Sequence, residues 1–270
     1  MATCQPLAHR KVFIKDREAY ELARVLRNSD QVSQRVLLDI DGTLHRGLHW
    51  GAYEGFLRGV TNADLAWSLL WKIPLAQKPR FFYDCLKIFL YDRKTLANGV
   101  PDEERELHSR YLVDLFFLSL EAVPESLISD VASSLPKRMY PHVEETLEQI
   151  GGRKALISCG LQAVVDAYGK HLGIREGYGN PFPPCETQYG KVYGAEDKER
   201  IARMICLSSK AERLIIAGDT TDDVGMAKVA HEVNPESVVL ALHNRSEALE
   251  DRADIIAYSW RDLRAFLEEY

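Results

Sequence analysis

Four short stretches of the chain hold residue types that could do chemistry together. The first is Asp39-Ile40-Asp41-Gly42-Thr43, directly after the apolar run Val36–Leu38. Two carboxylates two positions apart on a strand face the same way, although a turn beginning at Gly42 can change that geometry. Such a pair offers a nucleophile beside an acid/base, or two metal ligands; a solvated Asp-Gly turn is the plain alternative. The second is Gly218-Asp219-Thr220-Thr221-Asp222-Asp223, again after an apolar run. Three crowded carboxylates repel one another unless a cation or a lysine neutralises them, and oxygen donors of this kind suit Mg²⁺. They would equally make an acidic helix N-terminus.

The third stretch is Ser158-Cys159-Gly160, between an apolar run and a helix expected from about Leu161. A hydroxyl beside free backbone N–H groups at a helix start is a phosphate cradle, although Ser is also a common N-cap. The fourth is Lys198, opening a helical run after Gly194-Ala195-Glu196-Asp197. A lone lysine on a helix is usually solvated.

The elements that must position these residues form a rhythm. Apolar runs at 36–40, 155–160, 214–219 and 254–257 end in small or polar residues, and helical patterns at 143–150, 198–207 and 224–230 separate them. That alternation predicts an α/β fold with an open parallel sheet and a site at the carboxyl ends of its strands. Residues 15–28 read as an amphipathic helix ahead of the first strand. From about 45 to 135 the rhythm breaks into helical candidates at 54–71, 79–92, 102–122 and 125–134, punctuated by Pro74, Pro79, Pro101 and Pro124. The expected organisation is an N-terminal helical extension (1–34), an α/β core (35–44 and 136–270) and a helical insert (45–135).

Composition narrows the classes. With 270 residues, 46% of them hydrophobic, the chain can bury a sizeable core, and its net charge of −6 offers no global attraction for nucleic acid. Five cysteines without a C-x-x-C pair indicate neither a disulfide framework nor a zinc ribbon, and fit a reducing cytoplasm. The first thirty residues lack a secretory h-region, and no stretch of 18 uninterrupted apolar residues predicts a transmembrane helix. Nucleotide-binding glycine motifs are absent, and Ser158 does not stand in a G-x-S-x-G elbow.

In order and spacing, the four stretches resemble the motifs of the haloacid dehalogenase superfamily of aspartyl-phosphate phosphohydrolases. The Arg138–Ile150 run, the Tyr189–Gly194 turn and Val233-Asn234-Pro235 are similar to its phosphoserine-phosphatase-like branch, whose inserted helical cap the 45–135 segment resembles. The resemblance implies a Rossmann-like core. It also implies that Asp39 is the nucleophile and that Asp41 protonates the leaving group and later deprotonates water. Mg²⁺ would lie between the Asp39 carboxylate, the Asp41 backbone carbonyl and Asp219, with Asp223 supporting the metal's waters or holding Lys198. Thr43, Ser158 and Lys198 would stabilise the phosphoryl oxygens, with Cys159 and Gly160 in the phosphate-binding turn.

One departure bears on substrate. After Leu44 the chain reads His45-Arg46-Gly47-Leu48-His49-Trp50, without the acidic position that holds the amino group in phosphoserine phosphatases. Arg46 and Arg58 are candidates for an anionic leaving group. Runs 81–90 and 111–120 are apolar nearly all the way round a helix, so they are buried or bind something: the cap's own core, a hydrophobic substrate moiety, or a homodimer face. The functions left open are a Mg²⁺-dependent phosphatase acting on a phosphorylated small molecule, a phosphotransferase using the same intermediate, and a non-catalytic binding protein on the same scaffold.

Overall fold

The computed structural model describes residues 5–6, 12–28, 30–46, 60–97, 102–121, 123–243 and 246–270. Eight strands make one sheet: β1 (Gln5–Pro6), β2 (Val12–Ile14), β3 (Gln34–Leu38), β4 (Arg153–Leu161), β5 (Glu176–Asn180), β6 (Arg213–Gly218), β7 (Val238–Leu242) and β8 (Ile255–Ala257). Their order is β1-β2-β8-β7-β6-β3-β4-β5. The six strands from β8 to β5 are parallel, and β2 and β1 add antiparallel at the β8 edge. This is the expected α/β, Rossmann-like architecture, with β1, β2, β5 and β7 in addition to the four strands read from the sequence.

Helices α1 (Ala19–Leu26), α6 (Val143–Gln149), α7 (Gln162–Leu172) and α11 (Trp260–Glu269) contribute to one apolar layer, with Val36, Leu38, Ile215 and Ala217. Helices α8 (Ala195–Ser209) and α9 (Val224–Val233), with the short α10 (Glu247–Glu250), contribute to the other, with Leu37, Ala155, Leu214 and Ile216. Alternate strand residues thus enter opposite layers, and a strand covered on both faces must be apolar throughout. Helix α1 belongs to this body: Leu22, Ala23, Val25 and Leu26 are fully buried in the first layer.

Helices α2 (Val60–Lys72), α3 (Lys78–Ala97), α4 (Asp102–Leu120) and α5 (Glu125–Ala132) form the helical insert between β3 and β4. The start of the first expected insert helix, 54–59, lies outside the described residues, as does Arg58. Where the insert leaves and rejoins the core, its two connections pair. His45 bridges Met139 antiparallel, Arg46 N–H donates to the Arg138 carbonyl at 3.1 Å, and Tyr140 N–H to the Leu44 carbonyl at 2.9 Å. Beneath this neck the buried His45 ring sits 2.9 Å from Asp64 of α2, which also pairs with Arg138 at 3.0 Å. Burial raises the Asp64 pKa, but bonds from His45 and Arg138 outweigh it and leave it lowered. No described helix is long and apolar enough to cross a membrane.

At the amino ends of the central strands, the buried Arg213 ties β6 to the α1–β3 connection. It donates to both Asp30 oxygens at 2.7 and 2.9 Å, to Asn28 Oδ1 at 3.1 Å and to Gln34 Oε1 at 2.7 Å. The hydrogen bond from Arg213 lowers the Asp30 pKa to about 2 from its ordinary 3.8. A depressed carboxylate stabilises the fold above its unfolded pKa and loses that contribution as pH falls through its folded value. Arg213→Ala is therefore expected to cost about 3 kcal/mol in urea unfolding at neutral pH, since it strips a buried cation from its partners. The variant should also lack the part of the wild-type stability loss that falls between about pH 4 and pH 2.

Candidate active site

The first acidic cluster leaves the carboxyl end of β3, and the second leaves β6 beside it, where Leu38 pairs with Ala217. Asp39 N–H still donates to the Ala217 carbonyl at 3.0 Å, so the two clusters start side by side. The chain passes from β3 to β4 on one side and later to β6 on the other. That change of direction opens a crevice at the carboxyl ends of the strands.

Lys198, on the first turn of α8, reaches into this crevice and is buried. Its Nζ lies 2.6 Å from Asp39 Oδ1 and 2.7 Å from Asp223 Oδ1. The other Asp223 oxygen accepts from the Asp219 and Thr220 backbone N–H groups at 3.0 and 3.1 Å, and from Thr220 Oγ1 at 3.3 Å. Asp223 therefore folds the 219–223 turn and fixes Lys198 at once. The Thr43 hydroxyl lies 2.9 Å from Asp219 Oδ1 and 3.2 Å from Asp39 Oδ2, bridging the clusters. Its carbonyl is held by the Trp260 indole N–H at 2.7 Å.

Two glycines permit these approaches. A Cβ on Gly218 would stand 2.5 Å from the Asp223 carboxyl carbon, and one on Gly225 would stand 2.0 Å from the Ala195 carbonyl oxygen. The first would displace the residue that grips Lys198. The second would push apart α9 and the helix that carries it.

Asp39, Asp219 and Asp223 are all buried and can each bring one carboxylate oxygen within 4.8 Å of the others. Burial raises the Asp39 pKa, Lys198 pulls it down, and Asp223, Asp219 and Asp41 push it up again; the result is well above the ordinary carboxylate value. For Lys198 burial acts against the ammonium, but Asp223 and Asp39 outweigh it and hold the pKa well above the usual lysine value. The cluster thus carries more negative charge than its one lysine balances. A hard divalent cation with oxygen ligands, such as Mg²⁺, fits this donor set.

Asp41 points elsewhere. It lies beyond the last paired residue of β3, so strand alternation no longer governs it, and its carboxylate faces the insert. Thr61 on the first turn of α2 donates to Asp41 Oδ1 from its backbone N–H at 2.6 Å and from its hydroxyl at 2.8 Å. Ser158 Oγ approaches Asp41 Oδ2 at 3.4 Å and accepts the Gly160 N–H at 2.9 Å. The Cys159 carbonyl is held by the Asn180 amide at 2.9 Å. Thr61 and Asn62, both buried, flank Gly160.

The expected site residues Asp39, Thr43, Lys198, Asp219 and Asp223 thus come together, with Asp41, Ser158, Cys159 and Gly160 along one edge. Asp222 is half-buried, outside the carboxylate cluster, and Arg46 is exposed. Thr61 had no signal in the sequence: it lies twenty residues from Asp41 and in no motif.

No family model matches the chain, and no curated protein sequence matches it. Solved structures do. A phospho-aspartyl intermediate analogue of phosphoserine phosphatase superposes with a TM-score of 0.55 at 18% identity, covering 88% of this chain and 99% of that one. Cytosolic 5′-nucleotidase IIIB bound to cytidine gives 0.58 at 16% identity, covering 97% and 95%. A HAD family hydrolase from Salmonella enterica serovar Typhi gives 0.54 at 12%, covering 84% and 67%. The chain therefore shares the haloacid dehalogenase-type fold of these structures, with helices α2 to α5 inserted between β3 and β4.

Neutralising one carboxylate should relieve the repulsion in the cluster. Metal-free Asp219→Asn, which keeps an acceptor for Thr43, is expected to melt a few degrees above the wild type. Millimolar Mg²⁺ should raise the thermal midpoint of the wild type and leave that of Asp219→Asn nearly unmoved.

Proposed function

We propose that the protein is a Mg²⁺-dependent phosphatase that hydrolyses a small-molecule phosphate monoester through an aspartyl-phosphate on Asp39. The observation that carries this reading is the Lys198 ammonium shared between Asp39 and Asp223, with Asp219 beside them and hydroxyls at both rims. A carboxylate held this way has a defined nucleophilic oxygen, and the lysine remains at hand for phosphoryl oxygens as charge develops on them. Asp39 and Asp219, with the Asp41 carbonyl, would hold Mg²⁺. The ion would neutralise charge, so that one anion can approach another.

The chain's own residues account for the proton movements. As the Asp39 oxygen bonds to phosphorus and the ester bond breaks, Asp41 gives its proton to the leaving oxygen. Asp41 then takes a proton from water, the water oxygen bonds to phosphorus, and Asp39 is released. Thr61 and Ser158 orient Asp41 for both transfers. Thr43, Ser158 and the Cys159–Gly160 backbone would surround the transferring group. The insert helices serve as a cap in this reading, in a cytoplasmic setting.

Release of phosphate from an aryl phosphate is expected with Mg²⁺, to vanish with a chelator and return on adding the metal. Asp39→Asn should lower it at least about a thousandfold while the protein stays folded. A folded wild type without turnover on any phosphate monoester would overturn the reading.

An apolar substrate moiety is part of the proposal. Phe117 of α4 stacks on Phe182 with ring centroids 6.1 Å apart, two residues beyond the Asn180 that holds the Cys159 carbonyl. This aromatic seam joins the insert to the phosphate-binding edge, and no acid stands among residues 45–50 to receive an amino group. An aryl phosphate should exceed phosphoserine in kcat/KM by about tenfold or more, a gap that one lost apolar contact surface narrows. Phe182→Ala is expected to narrow it through the aryl substrate alone.

A further inference from the structure

Helix α3 has two apolar faces. Phe81, Cys85 and Ile88 are buried, packed with Leu112, Val113 and Phe116 of α4. Phe82, Leu86 and Leu90, at four-residue intervals, form a second stripe that is exposed, with Tyr83 beside it at 55%. The turn before the helix continues it with Leu75 at 82% exposure, and the end of α2 adds Trp71 at 66% and Trp67, whose rings meet edge-on at 5.8 Å. Exposed apolar residues scattered singly are ordinary, but seven large ones within residues 67–90 mark a surface that meets something.

The charge around it says what. Residues 67–90 contain Lys72, Lys78, Arg80 and Lys87 against the single acid Asp84, in a chain whose overall charge is −6. These cations border the apolar stripe: Lys78 Nζ lies 5.8 Å from the Trp71 ring centroid, Lys87 Nζ lies 4.5 Å from that of Tyr83, and Arg80 is exposed. Exposed Trp, Tyr, Phe and Leu rimmed by lysines is the chemistry of a surface that seats its rings among lipid headgroups and its cations on their phosphates. A second copy of the chain would bring the same positive rim against itself.

We propose that the α2–α3 end of the insert is a docking surface for an anionic phospholipid bilayer, on which the protein sits peripherally. The surface lies at one end of α2 and the Asp41 contact at the other. Trp71 is ten residues beyond Thr61, about 15 Å along the helix axis. Docking through Trp71 and Leu75 would therefore hold the candidate site close to the headgroup layer without burying it. The proposal does not depend on the protein's being a phosphatase.

The test is co-sedimentation of the full chain with phosphatidylcholine vesicles containing about 30% phosphatidylserine. Tryptophan emission is read on the same samples. The wild type is expected to pellet with these vesicles and to shift its emission to the blue. Pelleting should fall about tenfold on pure phosphatidylcholine or in about 0.5 M salt. Leu75→Ser/Phe82→Ser and Lys78→Glu/Lys87→Glu each change exposed residues, and far-ultraviolet circular dichroism checks that they fold. Each should lose about tenfold in partitioning, the first through apolar contact and the second through charge. No binding to anionic vesicles, or binding that both variants retain in full, would overturn the proposal. So would a wild-type dimer in sedimentation velocity that Leu75→Ser/Phe82→Ser dissociates while vesicles bind neither protein; the surface would then belong to a second copy.

Discussion

Buried negative charge at the carboxyl ends of β3 and β6 is the constraint around which the core is organised, because three carboxylates held this close oppose the fold that gathers them. Asp39, Asp219 and Asp223 are all but inaccessible to solvent, and the one ammonium among them is equally buried. Lys198 can offset part of the repulsion only from a fixed position between two carboxylates, since removing either partner would leave a buried charge uncompensated. Its position is secured from behind. Asp223 spends one oxygen on Lys198 and the other on the backbone of its own turn, and Gly218 and Gly225 keep that turn and helix α8 in close contact. A site that concentrates charge in this way is costly to fold and ready to receive a cation, which lowers the same electrostatic energy.

The second organising contact runs between the core and the insert. Asp41 takes its hydrogen bonds from Thr61, at the start of α2, so the residue assigned the acid/base role is oriented by the element that covers it. Helix α2 is in turn fastened to the neck by Asp64, which pairs with His45 on the outgoing connection and Arg138 on the returning one. The Asp64 pKa is lowered in spite of burial by its contacts with His45 and Arg138, so one carboxylate ties both connections to α2. Displacing α2 would strain this pairing and loosen Asp41 together. Position of the insert and orientation of the Asp41 carboxylate are therefore one structural variable.

Much of this was legible in the sequence, for physical reasons that differ from place to place. Strands β3, β4 and β6 are buried on both faces, so each appears as an apolar run that leads into the polar residues of the site. Their adjacency in the sheet brings the motifs together. Strand β5, Glu-Gly-Tyr-Gly-Asn, was hidden because its glycines carry no strand signature. Strand β7, Val-Val-Leu-Ala-Leu, is apolar throughout and was readable by the same rule as its neighbours. The partner of Asp41 was not readable: Thr61 reaches it only through tertiary packing, across a connection of undistinctive composition. The shared direction expected for Asp39 and Asp41 also failed, because strand geometry stops at Leu38 while both carboxylates lie beyond it.

The insert shows why composition alone could not separate burial from binding. Periodicity registers how many faces of a helix are apolar, not which of them is covered. In α4 the apolar content mostly resolves inward, with Leu112, Val113, Phe116, Phe117 and Leu120 buried. In α3 it resolves both ways, since Phe81, Cys85 and Ile88 are buried while Phe82, Leu86 and Leu90 are exposed. A helix that only completed a core would place polar residues on that outer stripe at no loss to packing. Lysines border the stripe and aliphatic and aromatic side chains fill it, so hydration was not what shaped this face. The charge that borders it, four cations against Asp84 within residues 67–90, is opposite in sign to the charge of the chain as a whole. One end of α2 is thus turned to an anionic, carboxylate-rich site and the other to a cationic, apolar surface, and the helix couples the two by its length.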